Sequence, residues 1–301
     1  MSILANPIQL QRGLRNVFIE ALMANSPLLL PSIATYLSSD GDRENLAWLG
    51  DVQGVSEFLG EVQFDGLSEA SFEAINKKYT GGIQVKRDDL ADEKTGGIAI
   101  RIQDLARRAV QYWDEMLVEV LVNGTTYESY DSNALFSATH PARGSSGVQS
   151  NLVSYSGSST ANAQTDIGAS IAALSNMLDE AGKPCNRGFK SIYVLAPPAL
   201  SKPISEAVTA GVVANTSNVQ FSGMQVEIIT EPLLTATSAA EYYVGIKDLP
   251  VRGLILQERE PVTFESLEDG DTAFSKEVYS YKVRMRGIAK PGRWQRIVKV
   301  A

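Results

Sequence analysis

His140 and Cys185 are the only histidine and the only cysteine in 301 residues, so the chemistry open to this chain is narrow. A single cysteine excludes an internal disulfide and any zinc site built from several thiolates. A single histidine leaves His140 as the one candidate general base. A hydrolase reading pairs it with Ser137, in Phe136-Ser137-Ala138-Thr139-His140-Pro141, or with a distant serine, and with an aspartate. Pro141 pulls residue 140 out of helical geometry, and a histidine in a turn more often serves backbone carbonyls than catalysis. Cys185, between Pro184 and Asn186, has no second histidine to activate it and reads as a packed thiol. Asp40-Gly41-Asp42-Arg43-Glu44 offers oxygen ligands at alternate positions. It lacks the glycine and the closing glutamate of a calcium loop, and Arg43 interrupts it, so it reads as a solvated acidic turn. Gly81-Gly82 and Gly96-Gly97 lack the Lys-Ser/Thr of a phosphate cradle. The residues therefore predict no catalytic centre, no cofactor and no metal.

Charge says more. Lysine and arginine total 27 against 35 aspartate and glutamate, a net charge of -8, which opposes attraction of the whole chain to nucleic acid or an anionic membrane. Apolar runs fall far short of the ~18 residues that cross a bilayer, and the N-terminus has no signal-peptide pattern. The charges are segregated. Asp40 to Glu73 holds nine acidic residues and one basic; Lys276 to Ala301 holds eight basic and one acidic. Such blocks read as solvated strand faces, as complementary patches for head-to-tail association that closes into rings, or as a basic surface facing DNA phosphates.

The elements that would position these residues follow from periodicity. Apolar residues at helical spacing predict a helix over Ile8–Met23 and a long one over Ile98–Val122, where Ile98, Ile102, Leu105, Ala106, Ala109, Trp113, Met116, Leu117, Val120 and Leu121 share one face. At 1.5 Å per residue this rod is ~37 Å long. Between them, glycines separate short alternating runs such as Glu61-Val62-Gln63-Phe64, and Ile83-Gln84-Val85 reads as another short strand. Residues 46–87 are thus expected as a thin, strand-bearing loop with little core. Seven serines and three glycines in Gly144–Ser159 predict a flexible connection. Beyond it come a helix through Ile167–Leu178, a buried strand Ile192–Leu195, a helix opened by Pro197-Pro198 and strands near Met224–Ile229 and Tyr242–Ile246. Leu254–Leu256, Val262–Phe264, Val278–Ile288 and Trp294–Val300 close the chain as strands.

This order of parts resembles the tailed-phage major capsid proteins of the Hong Kong 97 fold, and more specifically the Mu-like major head subunit family. The resemblance is carried by the run from Gly82 to Glu93 leading into Gly97 and the long helix, and by Val120-Leu121-Val122-Asn123-Gly124. It extends through Ala134-Leu135-Phe136-Ser137 with His140-Pro141, then Gly287, Gly292 and Trp294-Gln295. It implies an α+β capsid fold with an N-terminal arm (1–45), an extended β loop (46–87), a spine helix with the first part of a peripheral domain (88–145), an axial domain (146–250) and closing peripheral strands (251–301).

The function implied is a non-enzymatic subunit that self-assembles through hexamers and pentamers into the icosahedral head of a tailed phage. Its implied partners are its own copies, portal and scaffold proteins, a decoration protein, and packaged double-stranded DNA bound without sequence preference, with no membrane. The implied location is the virion, after assembly in the host cytoplasm. The expected assembly contacts are Trp48, Phe58, Leu59, Phe64 and Phe72 on the loop and Arg284, Arg286, Arg293 and Arg296 on the closing strands. The loop's apolar side chains exceed what it can bury locally, so crossing a neighbouring copy would bury them at ~25 cal/mol per Å². No scaffold segment is expected to be removed from this chain, and Lys77 and Lys78 find no matching asparagine for a covalent cross-link. The competing readings are an encapsulin-like compartment shell and, more remotely, a hydrolase using His140.

Overall fold

The residues that alternate on one helical face in the sequence are buried on one face in the structure: Ile98, Ile102, Ala106, Ala109, Trp113, Met116, Leu117, Val120 and Leu121 all lie in a 26-residue helix, Gly97–Val122. The computed structural model of the chain describes residues 7–50, 72–86, 88, 96–141, 147–179, 182–210, 212–213, 216–217, 221, 223–236, 240–267 and 275–301. Its helices are α1 (Pro7–Ala24), α2 (Leu30–Ile33), α3 (Gly97–Val122), α4 (Thr160–Asn176) and α5 (Pro198–Thr209). Its strands are β1 (Ala34–Ser38), β2 (Arg43–Asn45), β3 (Glu73–Ile75), β4 (Lys77–Lys86), β5 (His140–Pro141), β6 (Val148–Gln149), β7 (Leu152–Val153) and β8 (Ser191–Ala196). They continue as β9 (Val212–Val213), β10 (Thr216–Ser217), β11 (Gln225–Thr230), β12 (Tyr242–Ile246), β13 (Leu254–Leu267), β14 (Val278–Pro291) and β15 (Ile297–Val300).

Two sheets lie along α3. The first has the order β1-β13-β14-β4, with β1 parallel to β13 and the other pairs antiparallel. The second has the order β11-β8-β12-β15-β7. The N-terminal half of α3 packs Ile98, Ile102, Ala106 and Ala109 with Leu14 and Phe18 of α1 and with Val85, Tyr281 and Val283 of the first sheet. Phe18 stacks on Phe264 at 4.7 Å. The C-terminal half packs Trp113, Leu117 and Leu121 into a larger core with β8, β12 and β15. A third, small core joins Leu46 and Leu49 to Ala74 and Ile255. Gly287 lets the sheet close on α3: a Cβ there would sit 2.8 Å from the Trp113 ring and 2.5 Å from the Gln257 carbonyl.

Several expected elements take a different form. The strand expected at Ile83–Val85 runs from Lys77 to Lys86 and pairs along its length with Val278–Gly287, because Tyr79, Ile83 and Val85 alternate toward the core. The two short strands at Leu254–Leu256 and Val262–Phe264 are one strand, bent by bulges around Glu260. Trp294–Arg296 is a 3-10 turn, and only Ile297–Val300 is strand. The serine-rich connection is also more ordered than its composition implies. Within it, β7 pairs in parallel with β15, and the fully buried Asn151 donates to the Leu135 carbonyl at 2.7 Å. Of the run from Gly82 to Glu93, Arg87 and residues 89–93 lie outside the described residues, as do Phe58, Leu59 and Phe64 of the loop.

Asp114 ties the arm to α3. Buried on the helix, its carboxylate accepts the backbone N–H groups of Leu28 at 2.7 Å, Leu29 at 3.0 Å and Leu30 at 3.4 Å. It thereby caps α2, whose own N-cap, Leu29, supplies no side-chain bond. Burial raises the Asp114 carboxyl above its ordinary value, against the lowering effect of those three N–H groups. The folded chain therefore holds this proton to a higher pH than the unfolded chain does. The resulting contribution to stability is fully present below the unfolded value and is lost as pH rises through the raised one. Asp114→Ala is expected to lower unfolding stability by about 1–3 kcal/mol in denaturant titration and to speed proteolysis at 24–28. Asp114→Asn should remove that pH-dependent limb. Unchanged proteolysis in Asp114→Ala would show that the arm is held elsewhere.

Candidate assembly surfaces

The His140 constellation is a core contact. His140 is fully buried, its Nδ1 lies 2.7 Å from Asp131 Oδ2, and its ring stacks on Trp294 at 3.9 Å and 2°. Ser137 turns elsewhere: its Oγ accepts the Thr139 N–H at 3.1 Å, and its own N–H donates to Asn151 Oδ1 at 3.0 Å. With the imidazole stacked between Trp294 and the chain and sealed from solvent, the hydrolase geometry is not assembled. The pairing knits the segment after α3 to the closing turn. Asn186 does the same from the far side, donating to the carbonyls of Leu174 at 2.9 Å and Gln295 at 2.6 Å.

The four arginines singled out from the sequence divide into two kinds. Arg284 and Arg286 lie on the outer face of β14, and both reach Glu260, at 3.0 Å and 3.2 Å; Arg286 also pairs with Asp42 at 3.0 Å. The bulges at Glu260 swing its carboxylate between the two guanidinium groups. Arg293 donates to the Gly50 carbonyl at 3.0 Å, and the buried Arg296 donates to the Val251 carbonyl. Part of the complementarity between the acidic and basic blocks is thus met within one copy, by Asp42–Arg286, while Asp40 pairs at 3.7 Å with Arg259, outside the basic block. Arg296 serves the interior.

The loop residues that the structure describes sit at its base. Trp48 is 38% exposed, while Phe72 lies half-buried with the Lys290 amine 5.5 Å from its ring centroid. Burial, with help from Lys77, pushes the Lys290 amine below its ordinary value, and Glu128 opposes that shift. Phe72, Ile75, Met116, Val120, Tyr127 and Lys290 border a groove of about 560 Å³. A second groove, of about 470 Å³, runs between β4 and α3. Its floor is Leu105, Ala109 and Val283, and Arg101 and Arg108 stand at its rim. At one end Tyr79 and Tyr112 meet at 4.9 Å, and burial pushes the Tyr79 hydroxyl up to about 12. Sequence reasoning missed this groove, because it exists only where the edge of a sheet crosses a helix.

Helix α1 and its neighbourhood supply another surface that was not anticipated. Met23 at 82% and Ile100 at 62% exposure stand on the outer side of α1 and α3. In sequence they lie off the apolar face of each helix, and that displacement is the signal that marks them.

Comparison with known proteins places these surfaces in context. Residues 8–163 match the family model for the Mu-like prophage major head subunit gpT. A Mu-like prophage FluMu major head subunit from Haemophilus influenzae is 29% identical over 119 residues, 40% of this chain and 39% of that protein. The major capsid protein of Escherichia phage Mu is 27% identical over the same shares. The matched part thus spans about two fifths of these relatives' length. The fold is similar to the procapsid of bacteriophage JBD30, with a TM-score of 0.58 at 20% identity, covering 97% of this chain and 73% of that one. It is also similar to the mature capsid of bacteriophage PhiM1, with a TM-score of 0.56 at 9% identity, covering 92% and 87%. A virus-like particle from Pyrococcus furiosus matches with a TM-score of 0.53 at 12% identity, covering 96% and 98%.

The division among the arginines is testable by stability alone. Arg296→Ala should cost about 1–3 kcal/mol in denaturant titration, because it removes a charge-assisted hydrogen bond made by a buried side chain. Arg284→Ala, partly exposed, should cost less than about 1 kcal/mol. Equal losses would contradict the division.

Proposed function

The chain belongs to the family of Mu-like prophage major head subunits, and from that premise we propose that it is the major capsid protein of a tailed phage. Its activity is self-association into a closed icosahedral shell of hexamers and pentamers around double-stranded DNA. The reading is structural and not enzymatic, and the family match over residues 8–163 carries it. Fold similarity to phage capsids supports it. The family match does not favour the compartment-shell alternative.

The physics of the chain agrees. Strands β2 and β3 pair Asn45 with Glu73, so the two ends of residues 46–72 lie at one point of the fold. That excursion carries Trp48, Phe58, Leu59, Phe64 and Phe72, and its own base offers only the small core around Leu46 and Leu49. Burying such side chains needs a second copy. We assign residues 46–87 to this loop, with the arm, spine, axial and closing segments divided at residues 45, 87, 145 and 250. Arg284 and Arg286 are kept as contact residues on the outer sheet face, and Arg293 and Arg296 as supports behind it.

The partners in this reading are neighbouring copies first, then portal and scaffold proteins. A decoration protein is a further partner, since the JBD30 capsid is described as decorated with minor capsid protein trimers. The packaged DNA is contacted without sequence preference. The protein resides in the virion after assembly in the host cytoplasm. No described helix is long and apolar enough to cross a membrane.

Light scattering and electron microscopy test the proposal on the full chain, at low and high salt, beside a variant whose residues 51–71 are replaced by a short Gly-Ser linker. Closed shells, rings or tubes are expected from the parent and a folded monomer from the variant. A variant that assembles as well as its parent would overturn the loop's role. A parent that stays monomeric even when co-expressed with scaffold and portal proteins would overturn the function.

A further inference from the structure

We infer that Lys290 is a modification site: its amine, set in the groove between the base of the loop and the C-terminal end of α3, takes a short acyl group from a thioester. Such a site is independent of the self-assembly reading.

Strand β14 carries its basic residues on one face in period two, at Lys282, Arg284, Arg286 and Lys290. The first three have carboxylate partners. Lys282 pairs with Glu265 at 2.6 Å, Arg284 with Glu260 at 3.0 Å, and Arg286 with Glu260 at 3.2 Å and Asp42 at 3.0 Å. Lys290 makes no ion pair with a described residue, and its Nζ lies instead 5.5 Å from the centroid of the Phe72 ring.

Three carboxylates border the groove, and two are already engaged. Glu73 pairs with Arg43 at 3.2 Å, and Glu119 accepts the Tyr127 hydroxyl at 3.0 Å. Glu128, the third, acts on the Lys290 amine electrostatically without closing an ion pair. Lys77 borders the groove as a second cation. Much of the remaining lining is apolar, with Phe72, Ile75, Met116, Val120 and Ile288.

An amine that is half-buried, beside another cation and short of carboxylates is the arrangement that turns lysine into a nucleophile, because the neutral form is favoured over the charged one. Lys290 follows that direction. Burial first, and then Lys77, hold it below the ordinary lysine range against the pull of Glu128. The Phe72 ring also opposes the shift, since an aromatic face attracts a cation. With a volume of about 560 Å³, the groove has room for an acyl group beside the amine.

The step needs no oxidant or reductant. The neutral amine attacks the thioester carbonyl carbon, the C–N bond forms as the C–S bond breaks, and the thiolate leaves with the proton that the nitrogen gives up. The product amide is uncharged, so acylation removes a cation that the groove neutralises incompletely. Lys247 and Lys299 are instead held by Glu227 at 2.7 Å and Glu241 at 2.8 Å. Lys202, 85% exposed, stays hydrated and serves as the reference amine.

The test incubates the full-length protein with S-acetyl-N-acetylcysteamine, a small thioester, over a range of pH and follows each lysine by peptide mass spectrometry. Near neutral pH, Lys290 is expected to react about threefold or more faster than Lys202, and its rate should level off at a lower pH. Two substitutions at exposed positions act in opposite directions. Lys77→Gln removes the second cation and should slow Lys290, whereas Glu128→Gln removes the opposing carboxylate and should speed it, with Lys202 unchanged in both. Accessibility alone would not follow those charges. Far-ultraviolet circular dichroism checks that both variants remain folded. A Lys290 rate at or below that of Lys202 in the parent, or one that either folded variant leaves unmoved, overturns the inference.

Discussion

Everything in this fold leans on one helix whose single apolar face serves two cores. The N-terminal half of α3 packs Ile102 and Ala106 against α1 and the first sheet, and the C-terminal half packs Leu117 and Leu121 into the larger core. A 26-residue helix is about 39 Å long at 1.5 Å per residue. It therefore reaches both sheets without a linker, and a shift at one end is transmitted to the other. Asp114 and Trp113, at the junction of the two halves, are where the arm and the sheet are fixed to it. Asp114 holds the backbone of residues 28–30, and Trp113 fills the space that Gly287 leaves open.

This rigid frame leaves the projecting parts to make contacts between copies. Strands β2 and β3 bring the two ends of residues 46–72 to one point. The edge of β4 is left without a strand partner among the described residues. Heterologous contacts between copies close into rings when the rotation between copies is fixed. The pairing of Arg284 and Arg286 with Glu260 and Asp42 keeps the centre of the outer face locally balanced.

Periodic features of the sequence translated directly into structure. The long helix, expected over Ile98–Val122, is Gly97–Val122, and the strand expected over Tyr242–Ile246 is found there, because buried faces impose periods of 3.6 and 2 that need no tertiary information. Features that depend on distant partners were not legible. Asp114 reads as one polar residue in a helix, yet it caps backbone 84–86 residues away. The run Pro27-Leu28-Leu29-Leu30-Pro31 gives no sign that it leads into a strand parallel to β13. Serines and asparagines in 147–159 look like a linker until Asn151 is seen bonding buried carbonyls. The candidate site follows the same rule. The aromatic loop and the basic closing strands were visible as composition, but the inward role of Arg296 and the groove beside β4 arise from packing between segments far apart in sequence.

Hydrogen exchange along α3 in the full-length protein tests the central claim most directly. If one helix welds the two cores together, amides from Ile102 to Leu121 share a single opening free energy equal to that of global unfolding, and Asp114→Ala leaves them moving together. Two separate values, one for the half packed on α1 and another for the half in the larger core, would show that the cores open independently and would contradict it.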